Sequence, residues 1–412
     1  MKNAVFTICA KNYLSQAFSL RESTLKHNDV DFFIFLADER DGLTIPELVE
    51  LDVSWIPNWK SMAFKYDVVE FNTSIKPFCI KKLFSEGYNK VVYLDPDIFV
   101  VNSLEYVYDK LETYSVVLTP HRCELFQDNK GFISEETVLG VGVYNLGFIA
   151  LKNDDISLRI TKWWCQRLED YCYNSPQERL FVDQKWMDMI PGYFPDNVFI
   201  SHHLGLNMAV WNIQERELFS EEGMLKVRNV NNSKDIYPLV FFHFSGYSPA
   251  IPERLDKRIE TLTTTTHPEF KILVDSYYEM ELKNGYMVYH EMTYSFNTYN
   301  NDEEILSLNR RIYRKLLQNN NPCIDPFDAS GVIYEKFNSK KLVSHSPCSK
   351  LNAIIIKEKA EEQEKKFQWI LLKVLRLIGP KRYELLVKAC KRIGQYEYHA
   401  FLLGEGSMLH TK

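Results

Sequence analysis

The segment FTICAKNYLSQA (residues 6–17) follows the start of the first apolar run and contains no glycine. A nucleotidyltransferase normally carries a glycine-rich, basic phosphate loop near its N-terminus, so this absence counts against that class. No stretch reaches about 18 apolar residues, the length of a membrane-crossing helix. MKNAVFTICAKNYL lacks a secretory leader's long apolar core and small-residue cleavage site, which gives an expectation of a cytoplasmic protein. The eight cysteines (9, 79, 123, 165, 172, 323, 348, 390) contain no C-x-x-C pair. Their scatter gives neither a zinc site nor a disulfide framework and suits a reducing compartment. There is no basic excess. The net charge of −6 argues against a general nucleic-acid binder. What remains is ordinary for a globular protein: 412 residues, 45% apolar and 25% charged, enough for one large domain with an accessory one, or for two. Aromatics are high at 14%, a surplus that serves both cores and carbohydrate clefts.

Near-continuous apolar runs alternate with helical periodicity over the first 250 residues. AVFTICA (4–10), DFFIFLAD (31–38), SVVLTP (115–120), GVYNLGFIALKN (142–153) and PLVFFHFSG (238–246) read as strands. Residues 13–28, 76–88 and 155–174 read as helices, the last with its aromatic face inward. Strands of this kind between helices predict an α/β fold with a sheet covered on both faces. Beyond about 255 the composition turns polar and Asn-rich, with a helical piece at 303–318. Residues 360–379 and 381–393 predict two helices broken at Gly379-Pro380. Three regions are therefore expected: 1–255, 256–345 and 346–412. From Phe367 to Ile393 the last carries Lys373, Arg376, Lys381, Arg382, Lys388, Lys391 and Arg392 against one acid, Glu384. The default reading is a solvated face; the functional one is contact with an anionic membrane surface.

One stretch carries chemistry. NKVVYLDPDIFVV (89–101) reads as a buried strand, yet Asp95 and Asp97 stand in its middle. Proline cannot donate to a sheet ladder, so the strand is expected to end at Leu94 or Asp95, with both acids turned toward a cleft. Two carboxylates in apolar surroundings need a cation or strong donors. A D-x-D pair can hold a hard divalent cation, which commonly bridges two phosphates. A surface turn is the plain alternative, but such turns rarely lie between runs like VVYL and IFVV.

VVYLDPDIFV resembles the D-x-D strand of nucleotide-sugar glycosyltransferases of the GT-A fold, and specifically family 8, the group of glycogenin and the bacterial lipopolysaccharide galactosyl- and glucosyltransferases. FTICAKNYLSQAFSLRESTLKHN, VYNLGFIALKN, FVDQKWMDMIPG and FFHFSG follow the family's order. The resemblance covers roughly residues 1–250. It implies a Rossmann-like mixed sheet flanked by helices, with a helical C-terminal region. It also implies a divalent metal (Mn2+ or Mg2+) held by Asp95, Asp97 and His243, and a nucleotide-sugar donor, a UDP-hexose, touched by Asn12, Tyr13, Lys76, Asp95, Asn145 and Gly246. Asp183 and Gln184 match the D-Q pair, the Asp at donor-sugar hydroxyls and the Gln by the anomeric carbon. The reaction implied is hexose transfer with retention, to a glycan or lipid-linked glycan. Two departures stand out. Ala10 and Lys11 occupy the base-binding loop, where an acid is common. The H-x-x-G is followed by Tyr-Ser-Pro-Ala rather than a lysine that reaches the diphosphate, so Arg254 or Lys76 would have to replace it.

Each residue has a structural alternative. His243 could be a satisfied core histidine, Asn145 could pair a backbone group at a bulge, and Asp183 could be a helix N-cap. His202, His203 and Asn207 could line the acceptor side or form a loop. His121 and Arg122 could point to the cleft. Trp163 and Trp164 read as core. The rival functions are a nucleotidyltransferase making a nucleotide-sugar and a non-catalytic glycan-binding relative.

Overall fold

The computed structural model describes residues 2–125, 131–317, 325–345 and 350–403, with side chains in the last stretch described from 363 onward except at 365, 392, 397 and 400. The chain divides into two units, Met1–Pro57 with Val68–Tyr294, and Asn58–Asp67 with Ser295–Lys412.

The first unit is built on nine strands that matter here: β1 (Asn3–Cys9), β2 (Asp31–Leu36), β3 (Leu48–Glu50), β4 (Lys90–Leu94), β5 (Ile98–Val100), β6 (Val116–Leu118), β7 (Phe148–Lys152), β8 (Val198–Ile200) and β9 (Phe241–His243). Seven form one sheet in the order β8-β6-β7-β4-β1-β2-β3. β1 and β4 are buried along almost their whole length, which is why they read as unbroken apolar runs rather than alternating ones. β1 runs parallel to β2 and β4, but β7 runs antiparallel to both β4 and β6, so the sheet is mixed. The cause is local. Among the described residues, the connection from β6 to β7 carries one short helix, Glu135–Val141, which buries none of its residues and cannot act as a crossover packed on the sheet. The expected α/β architecture, a mixed sheet flanked by helices with a helical C-terminal region, is the one the chain forms.

The stretch 89–101 is two strands. β4 ends at Leu94, the Ile98 amide turns back to the Asp95 carbonyl at 3.0 Å, and β5 leaves the sheet to pair antiparallel with β9. Flanking helices are α1 (Leu14–His27), α2 (Lys76–Ser85), α3 (Asp155–Tyr171), α4 (Gln184–Met187), α5 (Ile190–Tyr193) and α6 (Lys271–Lys283). α3 is N-capped by Asp154, which accepts from the Ser157 amide, and it buries Ile160, Trp164 and Leu168 at four-residue spacing. α6 lays Leu273, Val274 and Tyr277 on Phe242 and Phe244, so the first unit continues past residue 255.

In the second unit, Phe64, Tyr299, Ile312, Tyr313, Leu316 and Phe337 share one core. Arg310 is the polar hub beside it. Its guanidinium donates to the carbonyls of Ala63, Phe64, Tyr66 and Phe296 and to the Asn297 amide oxygen, at 2.7–3.1 Å. With the Lys60–Asp325 ion pair and the Ser61–Tyr313 hydroxyl contact, these bonds tie residues 58–67 to this unit. Arg310→Met strands those buried acceptors at about 1–3 kcal/mol each before relaxation. The expected result is loss of the second unit's cooperative unfolding transition, or a drop of at least about 3 kcal/mol in its stability by denaturant titration. A shift below about 0.5 kcal/mol would show that water replaces the guanidinium at no cost. The helix Lys350–Ile393 is broken where expected, at Gly379 (φ 75°, ψ 165°) before Pro380. No described helix is long and apolar enough to cross a membrane.

Candidate active site

Register alone gathers the candidate residues. β1 and β4 are parallel neighbours, with Phe6 opposite Tyr93, so Asn12 and Tyr13 leave β1 at the sheet edge where Asp95 leaves β4. β7 begins at Phe148, opposite Leu94, which brings Asn145 and Gly147 to the same edge. β9 lies beside β5 with His243 opposite Ile98, and the Phe244 amide donates to the Asp97 carbonyl at 2.9 Å. Ligands bind at this place in open α/β sheets, outside the carboxyl ends of parallel strands.

Asp95, Asp97 and His243 each present a ligand atom, all within 4.8 Å of one another. His243 Nε2 is 3.1 Å from Asp97 Oδ1 and 3.7 Å from Asp95 Oδ2. Its other nitrogen, Nδ1, faces Asn207 Oδ1 at 3.2 Å. The Asn207 amide nitrogen is already committed, donating to Thr119 Oγ1 at 2.9 Å and Asn145 Oδ1 at 3.0 Å. The oxygen therefore faces the histidine, Nδ1 carries a hydrogen, and Nε2 turns to two carboxylates, where it donates a proton to Asp97 or, once deprotonated, offers a lone pair to a metal. Two carboxylates around Nε2 call for positive charge, a proton or a metal ion, and one imidazole with two carboxylates is a donor set that suits a divalent metal. Burial pulls the His243 imidazole toward the neutral form, but Asp97 and then Asp95 outweigh it and hold its pKa above the ordinary value. Burial raises the Asp95 carboxyl, opposed by Lys76 and His243. Tyr93 donates to Asp95 at 2.5 Å, which fixes the carboxylate's orientation.

Gly147 is required by this packing. A Cβ there would lie 2.3 Å from His243 Cε1 and 2.8 Å from Asn145 Oδ1. Asn145 does pair a backbone group, accepting from the Gly147 amide at 3.1 Å, but it also joins Asn207 and His121 in one buried network. Burial pushes the His121 imidazole down to about 4, so it is neutral there. Arg122 donates to the carbonyls of Trp211 and Ile133. His203 lies elsewhere, between the rings of Tyr106 and Tyr237 at 4.6 Å each, while His202 is exposed. Trp164 is core, whereas Trp163 is half-buried on the outer face of α3.

Asp183 sits at the N-cap of α4 but makes no capping bond. Its carboxylate pairs instead with Lys76 at 2.5 Å, both side chains being 2% exposed or less. Lys76 also donates to the Leu146 carbonyl at 2.7 Å and lies 4.1 Å from the centroid of the Tyr93 ring. Burial raises the Asp183 carboxyl and Lys76 opposes it. The Gln184 side chain is held at both ends, accepting from the Leu146 amide and donating to the Val141 carbonyl, each at 3.0 Å.

Two residues that sequence reasoning passed over or misplaced belong here. Asn207, read as acceptor side or loop, sets the His243 tautomer. Arg258 was not singled out. Gly246 has φ 82°, and a Cβ on it would meet Arg258 Nη2 and Asp256 Oδ1 at 2.6 Å. Arg258 Nε lies 2.8 and 3.0 Å from the two oxygens of the fully buried Asp256, and its Nη2 reaches the Ser245 carbonyl at 3.3 Å. Asp256 and, further off, Asp97 raise the Arg258 pKa. Arg258 is thus an exposed cation whose guanidinium stands against Gly246, while Lys76 is sealed against Asp183. A carboxylate two residues before an arginine, just past H-x-x-G, is the only sequence signal that could have marked it.

No protein-family model matches the chain. It is similar to the uncharacterized protein YfnF of Bacillus subtilis (strain 168), with 28% identity over 279 residues, 65% of this chain and 89% of that one. Among solved structures it is similar to the galactosyltransferase LgtC in complex with donor and acceptor sugar analogs, at 17% identity and a TM-score of 0.39, covering 68% of this chain and 95% of that one. It is also similar to a glycosyltransferase involved in glycosylation of the major capsid of PBCV-1, at 12% identity and a TM-score of 0.35, covering 61% and 96%.

Proposed function

We propose that this protein is a metal-dependent glycosyltransferase that moves a hexose from a nucleotide-sugar, a UDP-hexose, to a glycan or lipid-linked glycan, with retention of configuration. The observation that carries the reading is the meeting of Asp95, Asp97 and His243 at one sheet edge, with Nε2 of His243 turned toward the two carboxylates. A divalent cation held there would neutralise charge on a departing diphosphate, an effect of several kcal/mol. Arg258, oriented by Asp256 and within the field of Asp97, offers its remaining guanidinium hydrogens on the same side and takes the place of the missing lysine. Gln184 is a neutral amide locked in place; it is a poor nucleophile and orients rather than attacks. Asp183, whose Oδ2 Lys76 holds, takes the role of accepting a hydroxyl hydrogen of the donor sugar. Asn12 and Tyr13, at the end of β1, lie toward the nucleoside.

The test is hydrolysis of a panel of nucleotide-sugars with and without Mn2+, in parallel with UDP-binding calorimetry. Mn2+-dependent release of UDP from one donor is expected, and it names the sugar. Absence of metal-dependent UDP binding sinks the reading in favour of the non-catalytic relative, and preference for a nucleoside triphosphate favours the nucleotidyltransferase.

The broken C-terminal helix supports a site of action at the inner face of a membrane. Phe367, Trp369, Leu372, Leu377 and Leu385 are all more than half exposed there, among Lys373, Arg376, Lys381, Arg382, Lys388 and Lys391. Exposed apolar and cationic groups together match an anionic bilayer surface. Vesicles rich in phosphatidylglycerol are expected to sediment the protein. Reversal of Lys373, Arg376 and Lys388 to Glu should release it, and equal sedimentation of the triple variant would return the helix to a solvated face.

A further inference from the structure

A second concave site lies away from the metal-ligand cluster, between α3 and α5. It is a groove of about 690 Å3 with Ile160 and Ile190 at its floor and Trp163, Tyr193 and Phe194 as aromatic walls. Arg159 and Lys162 stand on its rim, both exposed, and among the described residues no acid lines it. The guanidinium of Arg159 lies over the Phe194 ring at 5.4 Å, a cation–π contact. Trp163 is braced edge-on by Trp186 at 6.0 Å, and Tyr193 is 61% exposed. α4 and α5 are nearly continuous, so the segment that places Gln184 also builds this groove.

We infer that this groove binds an acidic saccharide chain, a run of uronic acid units belonging to the acceptor glycan. The inference rests on the glycosyltransferase reading for the identity of that chain as acceptor, and on the groove alone for its chemistry. Aromatic rings with one exposed face offer flat apolar area to the C–H face of a pyranose, while polar groups at the rim take its edge. The charge is one-sided: two cations and no acid in a protein of net charge −6. Arg159 and Lys162 are three residues apart on one helix, so their heads rise from points about 5–6 Å apart, roughly the length of one pyranose unit. Carboxylates on successive sugars would meet them in turn. A guanidinium already drawn over an aromatic ring loses less freedom on taking a carboxylate through both nitrogens. Such a hold would keep a growing chain near the transfer centre between additions.

The test is calorimetric titration of the full chain, in EDTA and without nucleotide, with a galacturonic acid hexasaccharide and with maltohexaose as the neutral control. The acidic chain is expected to bind and the neutral one to bind at least about tenfold more weakly, a difference of about 1.4 kcal/mol. Arg159→Ala with Lys162→Ala should weaken the acidic chain by about the same factor, and Trp163→Ala should weaken it independently. Asp97→Asn should leave it unchanged, which separates this site from the metal cluster and lets the groove stand even if transfer activity fails. The proposal is overturned if the hexasaccharide does not bind, if maltohexaose binds as well, if the double variant keeps full affinity, or if Asp97→Asn alone abolishes binding. Arg159 and Lys162 are solvent-exposed, so their variants should fold, and an unchanged melting curve verifies it.

Discussion

Asp97→Asn is expected to remove metal-dependent transfer, a loss of several kcal/mol of transition-state stabilisation or roughly 10^3-fold in turnover, while the protein stays folded. The asparagine keeps the size of the side chain and the backbone carbonyl that receives the Phe244 amide at 2.9 Å. What it removes is one anionic oxygen, 3.1 Å from His243 Nε2. Stability should hold or rise slightly, since Asp95, whose carboxyl Asp97 helps to push up, loses a repulsive neighbour. The measurements are UDP release at saturating donor and Mn2+, and Mn2+ affinity followed by electron paramagnetic resonance. Wild-type turnover in the variant would make D-x-D a structural turn.

Lys76→Met is expected to be the most destabilising single change in the first unit. It leaves the Asp183 carboxylate, 2% exposed, without its counter-charge, at about 3–5 kcal/mol. The pH dependence follows from the direction of the Asp183 shift. Burial raises its folded pKa, and removing Lys76 raises it further. A carboxyl whose folded pKa lies above its unfolded value costs stability as pH rises past the unfolded value, near 3.9, up to the folded one. The deficit should therefore be larger at pH 8 than at pH 5. Lys76→Met with Asp183→Leu should regain most of the stability without regaining transfer. Urea unfolding at both pH values decides it. A deficit under about 1 kcal/mol, flat with pH, would mean that Asp183 reaches water when Lys76 is gone.

Much of this site was legible in one dimension because its parts lie at strand ends. The Asp-Pro-Asp of 95–97 announces its own break in the strand, since proline ends the ladder, and the structure ends β4 at Leu94. His243 and Gly246 were legible as an acid-free apolar strand ending in groups with special chemistry. The antiparallel course of β7 was not, since an apolar run carries no direction. Nor was Asn207, whose side chain matters only because Thr119 and Asn145 claim its nitrogen and leave its oxygen for His243.

The sequence by itself determined the α/β class, the apolar strands, the acids at the end of β4 and the break at Gly379-Pro380. These depend on local propensity and on the side-chain periods of helix and strand. Only the tertiary structure decided which nitrogen of His243 faces the carboxylates, that Lys76 is spent on Asp183, and that Arg258 stands beside Gly246. Those are pairings between residues far apart in the chain. A lysine reads the same in sequence whether its partner is a buried aspartate or a phosphate, and only the folded distances separate the two.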